Sequence, residues 1–426
     1  MLEDGPQELE AGFHLDLERS AKQTKALVRK RGIQSAVDLL RLVLMYVGSD
    51  WSLRLVAFGA FLQGIGYLSD VAVLKRLRNC SAWLGVLIGQ ILHRRCQALQ
   101  QTVPVRLRLM DASVITRPGA KGTDWRLHLG LSLHPLGIDG IEITDAHGGE
   151  TLARLAPQAQ EIRIADRGYA FVSSLVRLLA EDSFLVVRIN WQNLPLEIDP
   201  GQRFDLSAWL KPLQAPGEQR LWLPTPAGRF ALRLLAAPLP PQAADRARQR
   251  ARQNNAKHGR TVSDPTLRAA GFILLLTNLP ANIWPLPQVL GLYRLRWQIE
   301  LAIKRLKSLI HIDQLRAQDP RMVKTYLLGK LLLALMLDEV LPQVAYQQPE
   351  WFLSLERPIS VWRLTQFLWH ALCQWILGPV DRTRLPLLWP AAQRYFCDSP
   401  RARPQQLAYA RAFLDAKATL FSLLSC

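Results

Sequence analysis

Two stretches that run into an aspartate decide the fold: Val103-Pro-Val-Arg-Leu-Arg-Leu-Met-Asp111 and Glu161-Ile-Arg-Ile-Ala-Asp166. In the first, apolar residues alternate with polar or basic ones, and this period of two is the pattern of a β-strand. The second predicts a shorter strand that ends at the turn residues Arg167-Gly168-Tyr169. We therefore predict two strands that each deliver a carboxylate at their carboxyl-terminal end.

Further strand patterns lie around these two stretches. Alternating apolar residues predict strands at Trp125 to His134 and Ile138 to Asp145, and an apolar run predicts another at Ser183 to Ile189. A short helix is predicted from Glu150 to Ala156, and an amphipathic helix from about Ala170 to Ala180. The order βββαβαβ indicates an α/β fold with a mixed sheet and helices on its faces.

The charge of the chain favours nucleic acid as its partner. Lys and Arg number 53 against 35 Asp and Glu in 426 residues, which gives a net charge of +18, and a field of this sign attracts polyanions. An acidic membrane surface would also attract it, but no apolar run reaches the roughly 20 residues that span a bilayer. The amino-terminal residues lack the pattern of a signal peptide. We expect a cytoplasmic protein with no membrane partner.

The cysteines indicate neither a disulfide framework nor a zinc site. They number five, they are widely scattered, and no Cys-x2-Cys pair lies beside a pair of histidines.

Residues 1 to about 100 are predicted to form a helical DNA-binding domain. Ser52 to Leu62, a turn at Gly64-Ile-Gly66, and Ser69 to Arg78 indicate a helix-turn-helix. Its second helix begins with a capping serine and ends with cations that could contact DNA, namely Lys75, Arg76 and Arg78. A plain helical hairpin would give the same pattern.

The rest of the chain divides into three parts. Residues 101 to 310 form the predicted catalytic domain, and residues about 191 to 284 within it, with Pro-rich turns and short strands, are predicted to be a β-rich insertion. A basic run from Asp245 to Arg260 in this insertion is either a solvated loop or a phosphate contact. Residues 311 to 426 are predicted to be a helical carboxyl-terminal region.

The stretch Leu292-Tyr-Arg-Leu-Arg-Trp-Gln-Ile-Glu-Leu-Ala-Ile-Lys-Arg-Leu-Lys307 has no Gly or Pro and is predicted to be one continuous helix. At about 100° per residue, one side carries Tyr293, Arg296, Glu300, Lys304 and Lys307. The adjacent side is a predicted buried stripe of Leu295, Ile299, Ala302, Ile303, Leu306 and Ile310. Taken alone, Glu300 and Lys304 would form an ordinary ion pair on a solvated face.

The two strand-end aspartates change that interpretation. An ionised aspartate that faces a core costs several kcal/mol unless something pairs with it, and a divalent cation is the natural partner. Two cations about 4 Å apart, held by three carboxylates, can activate a water or a 3′-hydroxyl and stabilise a leaving oxygen. We therefore propose Asp111, Asp166 and Glu300 as the carboxylates. Oxygen ligands favour Mg²⁺ or Mn²⁺ over zinc.

Four of these residues resemble the signature of a known family. Tyr293-x2-Arg296-x3-Glu300-x6-Lys307 resembles the Tyr-Arg-Glu-Lys signature of the DDE transposases in the Insertion Sequence Four family, with every spacing met. Ala165-Asp166-Arg-Gly-Tyr169 resembles the second aspartate motif of that family, and Asp111-Ala-Ser resembles its first. Lys121 to Arg126 and Thr144-Asp-Ala-His-Gly-Gly-Glu150 are also similar to stretches of such transposases. The likeness covers roughly residues 50 to 310.

This resemblance implies an RNase H-like catalytic core interrupted by a β-rich insertion, a DNA substrate made of terminal inverted repeats and target DNA, and a dimer on that DNA. It implies that Asp111, Asp166 and Glu300 are the metal ligands. It also implies that Tyr293, Arg296 and Lys307 contact DNA near the cut. Some members stack a flipped base on a tryptophan of the strand before the signature helix, but that strand has Ile273 here; Phe272, Trp284 and Trp297 are substitutes.

The function predicted from the sequence is that of a DNA transposase with metal-dependent cleavage and strand transfer. A non-catalytic DNA-binding protein derived from a decayed transposase is the alternative, and a metal-dependent nuclease without joining activity is a third hypothesis. The three carboxylates argue against decay at the site.

Overall fold

The computed structural model describes residues 15–49, 51–102, 106–117, 119, 122–133, 136–158, 160–181, 183–226, 228–347 and 361–377. The carboxyl-terminal region predicted for residues 311 to 426 is therefore covered only as far as residue 377, and even there the side chains of Trp362 and Trp375 lie outside the description.

A mixed sheet lies at the centre of the molecule, as the sequence predicts. Its first five strands are β1 (Arg106–Ile115), β2 (Trp125–Leu133), β3 (Leu136–Asp145), β4 (Glu161–Ala165) and β5 (Phe184–Arg188), in the order β3-β2-β1-β4-β5. Strand β1 pairs antiparallel with β2 and parallel with β4, and β4 pairs parallel with β5. Parallel neighbours place their carboxyl ends at one edge of the sheet.

Five more strands extend the same sheet beyond β5. They are β6 (Glu197–Asp199), β7 (Gln202–Arg203), β8 (Gly217–Thr225), β9 (Gly228–Pro238) and β10 (Phe272–Thr277). Strand β10 pairs antiparallel with β5, and the order continues β10-β9-β8-β6-β7. The segment predicted as an insertion thus adds its strands to the edge of the predicted catalytic sheet.

Thirteen helices are found in the described part of the chain. They are α1 (Leu17–Gln23), α2 (Ala36–Gly48), α3 (Leu53–Leu62), α4 (Asp70–Arg78), α5 (Ser81–Thr102), α6 (Val172–Leu179), α7 (Leu206–Leu210), α8 (Pro241–Lys257), α9 (Asp264–Ala270), α10 (Leu286–Arg294), α11 (Trp297–Ile310), α12 (Pro320–Gln347) and α13 (Val361–Leu377). Two short 3₁₀ helices lie at Arg167–Tyr169 and Trp191–Asn193. No helix among these is long and apolar enough to cross a membrane.

Serine caps fix the starts of the amino-terminal helices. The hydroxyls of Ser52 and Ser69 accept hydrogen bonds from the backbone N–H groups of Leu55 and Ala72, which satisfies donors that have no partner within the helix. Helices α3 and α4 therefore begin where the sequence predicts the helix-turn-helix.

The sheet buries an apolar core on each face, and side chains alternate between the two. Leu109, Ile164 and Val186 belong to one core, and their neighbours Met110, Ala165 and Val187 belong to the other. The first core also contains the amino-terminal helices together with α11, α12 and α13. The amino-terminal helices therefore share a continuous core with the sheet.

The continuous helix predicted from Leu292 to Lys307 is wrong. The chain turns at Leu295 and Arg296, between α10 and α11, where the backbone N–H groups bond to the carbonyl three residues earlier. Bonds of this spacing tighten the turn and interrupt the regular helix. Leu295 is exposed rather than part of the buried stripe, whereas Ile299, Ala302, Leu306 and Ile310 are buried as predicted.

The helix predicted from Glu150 to Ala156 is also wrong, because its carbonyl groups bind arginines instead. Arg163 donates to the carbonyls of Leu152, Arg154 and Leu155, and Arg108 also donates to Leu155. The residues form turns. The basic run, by contrast, lies on α8 as far as Lys257, and only residues 258 to 260 lie beyond the end of the helix.

Candidate active site

Asp111 and Asp166 lie side by side on neighbouring strands. The parallel pairing of β1 with β4 ends at Met110 and Ala165, and the next residue on each strand is an aspartate. The sequence predicts that β1 ends there, and this is wrong, because β1 runs on to Ile115 in pairing with β2. The two carboxylates therefore stand where β1 and β4 separate, on the face of the sheet against which α11 packs.

The surroundings of Asp111 concentrate negative charge. Burial raises the pKa of Asp111 to about 6, and the charges of Glu150 and Asp166 act in the same direction. A backbone N–H from Ala112, 2.8 Å from Oδ1, and the guanidinium of Arg296 oppose this rise. Carboxylates that repel one another in this way favour a bound cation.

Tyr293 is held against Asp166. Its hydroxyl donates to Oδ1 of Asp166 across 3.4 Å. Burial raises the pKa of Tyr293 to about 12, and the charge of Asp166 contributes to the rise. The hydroxyl therefore stays protonated at neutral pH and remains a donor. The guanidinium of Arg296 lies 5.7 Å from the centre of the Tyr293 ring, within the range of a cation–π interaction.

The carboxylate of Glu300 is paired with Arg296, whose charge also acts on Asp111 and Asp166. Arg296, one turn earlier, donates to Oε1 of Glu300, and the two side chains are 17% and 31% exposed. Within the described residues, no group of three or more His, Cys, Asp and Glu side chains is close enough to hold one metal ion. Asp111 and Asp166 thus lie next to each other, whereas Glu300 is paired with Arg296. Lys307 is half-buried in the last turn of α11.

The donor set fits a hard divalent cation. The negative charge around Asp111 comes from the carboxylates of Glu150 and Asp166, and carboxylate oxygens suit Mg²⁺ or Mn²⁺. Burial, more than the neighbouring charges, raises the pKa of Asp111, and a bound cation would offset the cost of that buried charge.

Sequence reasoning missed Glu150 as a site residue and assigned it to the start of a helix. The charge of Glu150 acts on Asp111. The available signal was the stretch Thr144-Asp-Ala-His-Gly-Gly-Glu150, which leads from β3 back towards the strand-end aspartates.

An open groove of about 420 Å³ extends from Asp166 to α8. Its walls carry the cations Arg167, Arg188 and Arg250 and the aromatic side chains of Trp191 and Phe272. Cations together with flat aromatic faces suit a nucleic-acid strand. Of the aromatic residues considered from the sequence, Phe272 lies in this groove and Trp297 is exposed beside Arg296.

The predicted DNA-reading cations of α4 differ in their surroundings. Lys75 is exposed, and Arg76 is half-buried and donates to the backbone carbonyl of Arg31. Arg78 forms an ion pair with Asp319 across 2.6 Å. Arg78 therefore ties α4 to the start of α12.

Paired aspartates where two parallel strands separate, faced by a helix with an arginine-bound glutamate, are typical of enzymes that cut or join phosphodiesters with divalent cations. The family model of the transposase DDE domain matches residues 106–337. The chain belongs to this family and is a DNA transposase, and DDE transposases use divalent metal ions.

The chain is similar to transposases of bacterial insertion sequences. It is 41% identical over 334 residues to the transposase InsL of insertion sequence element IS186A from Escherichia coli K12, covering 76% of this chain and 90% of that protein. It is 41% identical over 335 residues to the transposase of element IS421 from Escherichia coli, with the same shares covered. Over a shorter stretch of 82 residues, it is 40% identical to the transposase of insertion sequence element IS231F from Bacillus thuringiensis subsp. israelensis. This stretch covers 19% of this chain and 17% of that protein.

Proposed function

We propose that this transposase cuts DNA at the ends of an insertion element and joins those ends to target DNA, with Asp111, Asp166 and Glu300 holding two Mg²⁺ or Mn²⁺ ions. The observation that carries the proposal is the pair of neighbouring aspartates at the point where β1 and β4 separate, of which Asp111 has a raised pKa. Divalent cations there would activate the attacking water or 3′-hydroxyl and stabilise the leaving oxygen.

The residues around the aspartates have separate tasks in this proposal. Tyr293 positions Asp166 through its hydroxyl, which stays protonated because burial raises its pKa. Arg296 holds Glu300 away from the aspartates in the DNA-free protein. A DNA phosphate competes for the same guanidinium, since a phosphate accepts paired hydrogen bonds from arginine as a carboxylate does. Binding of DNA thereby frees Glu300 to complete the metal site. Cleavage then begins only after the DNA substrate has bound.

DNA reaches this site along cationic surfaces. Lys307 on α11 and the groove between Asp166 and α8 contact phosphates near the cut, and Lys75 and Arg76 of α4 recognise the element's ends. In support, the groove opens directly beside Asp166 and carries arginines together with aromatic faces. The protein acts as a dimer on DNA.

The chain belongs, in this proposal, to the Insertion Sequence Four family, through Tyr293-x2-Arg296-x3-Glu300-x6-Lys307. Strands β1 to β5 form the RNase H-like core, and residues about 191 to 284 are its β-rich insertion. The order β3-β2-β1-β4-β5, with β1, β4 and β5 parallel, supports this assignment.

A plasmid assay tests the proposal. A supercoiled plasmid carries the element's ends, taken from the DNA that flanks the reading frame, and is incubated with the protein and Mg²⁺. Joined products are expected. Cuts without joining would assign the protein to the nucleases, and gel retention without cuts would leave only DNA binding. An Asp111→Asn variant should retain the DNA and produce neither cuts nor joins, and an Asp145→Asn variant, altered at an exposed aspartate of β3, should behave as the wild type.

A further inference from the structure

Glu150 lies in the connection between β3 and β4, beside the turn that follows Asp166. Its carboxylate lies over Gly168, two residues after Asp166, so closely that a Cβ added at Gly168 would collide with Oε2 of Glu150. The absence of a side chain at Gly168 thus makes room for this carboxylate beside the turn that carries Asp166.

The charge of Glu150 acts on the site from this position. It raises the pKa of Asp111, although burial is the larger cause. Burial also raises the pKa of Tyr169, and the charges of Asp111 and Glu150 add to that rise. Glu150 therefore shares an electrostatic environment with Asp111 on one side and with the turn after Asp166 on the other.

A buried ionic network fixes the residues that follow Glu150. Arg163 and Arg108 donate to the backbone carbonyls of residues 152 to 155, and the backbone N–H of Leu152 donates to Ser174 across 2.8 Å. Glu161 pairs with Arg163 across 2.9 Å, and Asp139 pairs with Arg108 across 3.1 Å. All four of these charged side chains are at most 3% exposed.

Such a network is costly to bury, since each ion loses its hydration. It ties the connection to β1 and β4, so that Glu150 is held beside the turn after Asp166 before any ligand arrives. Glu161 and Asp139 have arginine partners, whereas within the described part of the chain no group donates a hydrogen bond or an ion pair to the Glu150 carboxylate. Its charge is therefore available to a cation.

We propose that Glu150 is a fourth acidic residue of the reaction centre, which supplies an oxygen through a bound water to the divalent cation held by Asp111 and Asp166. The inference rests on the proposed metal site. In the DNA-free protein, Glu300 is paired with Arg296. Part of the metal affinity of this form would then come from Glu150, in addition to Asp111 and Asp166.

Mn²⁺ binding to the DNA-free protein, followed by electron paramagnetic resonance of the free ion, tests the inference without relying on activity. Glu150→Gln should weaken Mn²⁺ affinity by about ten-fold or more, the usual effect of removing a partner around a metal site. Glu150→Asp, which keeps the charge, should recover part of this loss. Glu142→Gln is the matched control, because Glu142 lies on β3 and pairs with Arg154 of the same connection; its affinity should equal that of the wild type.

A second variant addresses the same carboxylate without removing its charge. Gly168→Ala should displace the Glu150 side chain and weaken Mn²⁺ binding, and it should add little to the effect of Glu150→Gln in the double variant. An equal further loss in the double variant would show that Gly168 acts by another route and would overturn the inference.

Asp111→Asn separates this inference from the proposed metal site itself. If Asp111→Asn loses Mn²⁺ binding while Glu150→Gln keeps the wild-type affinity, the role of Glu150 is wrong and the metal site stands. If Asp111→Asn also binds Mn²⁺ as the wild type does, the metal site itself is misplaced.

Discussion

Asp111→Asn should make the metal-free protein more stable although it abolishes catalysis. The carboxylate of Asp111 has a pKa of about 6 in the folded protein, against 3.8 for an ordinary aspartate. Each pKa unit corresponds to about 1.4 kcal/mol, so the charged form costs the fold about 3 kcal/mol at neutral pH. Asparagine has nearly the same shape, keeps an oxygen for the Ala112 N–H, and carries no charge.

The advantage of the asparagine depends on pH in a defined direction. Because the folded pKa is raised, the unfolded chain releases its proton first, and the wild type loses stability as pH rises from about 4 to about 6. The penalty is about 3 kcal/mol at pH 7.5 and about half of that at pH 5. The difference between Asp111→Asn and the wild type should therefore shrink by about half between these two values.

Thermal unfolding in EDTA measures this difference. Unfolding entropy is about 2.1 cal/mol/K per residue, so for 426 residues a gain of 3 kcal/mol raises Tm by about 3 °C. Added Mn²⁺ should raise the Tm of the wild type and leave that of Asp111→Asn unchanged, since a ligand stabilises only the state that binds it. Asp145→Asn, at an exposed aspartate that also accepts a backbone N–H, should show no gain. An Asp111→Asn protein less stable than the wild type at pH 7.5, or an advantage that persists undiminished at pH 5, would refute the reasoning.

Three other substitutions probe separate parts of the molecule. Arg163→Ala should cost about 3–5 kcal/mol in chemical denaturation, because it removes one of the two arginines that pair with buried Glu161 and the donor to three backbone carbonyls; a cost below 1 kcal/mol would show that the network is not required. Lys75→Ala should weaken binding to end DNA and lower the slope of log K against log salt by about 1 for one lost phosphate contact, and an unchanged gel-shift titration would exclude that contact. Lys307→Ala should slow cleavage without changing the Mn²⁺ concentration for half-maximal activity, whereas a large rise in that concentration would place Lys307 at the metal.

Local patterns were enough to predict the sheet and its two aspartates. The period of two before Asp111, and the short strand before Asp166, are properties of neighbouring residues, and the serine caps at Ser52 and Ser69 are equally local. Each of these patterns depends only on residues close together in the sequence. The local structure that it predicts is therefore found in the folded protein.

The features that the sequence did not reveal depend on partners distant along the chain. The turns at 151 to 155 form because their carbonyls bind Arg108 and Arg163, and no pattern within that segment indicates this. The position of Glu150 follows from the same contacts. The turn at Leu295 separates two helices whose apolar residues pack into the core on their own, and helix propensity alone predicted no interruption.

The predicted division into domains bears on how DNA recognition is tested. Deletion of residues 1 to 100 would test end recognition if they folded separately, but α2 packs against α12, and both belong to the core that covers one face of the sheet. Point substitutions on α4 are therefore the better test of DNA recognition, since they leave that core intact.

The most direct test of the three-carboxylate site is the activity of purified Glu300→Gln on DNA that carries the element's ends, in Mg²⁺ and in Mn²⁺. The variant should fold, bind the end DNA as the wild type does, and neither nick nor join it. Glu181→Gln, altered at an exposed carboxylate after α6, is the control and should retain full activity. Excision by Glu300→Gln at close to the wild-type rate would contradict the assignment of Glu300, Asp111 and Asp166 as one catalytic unit.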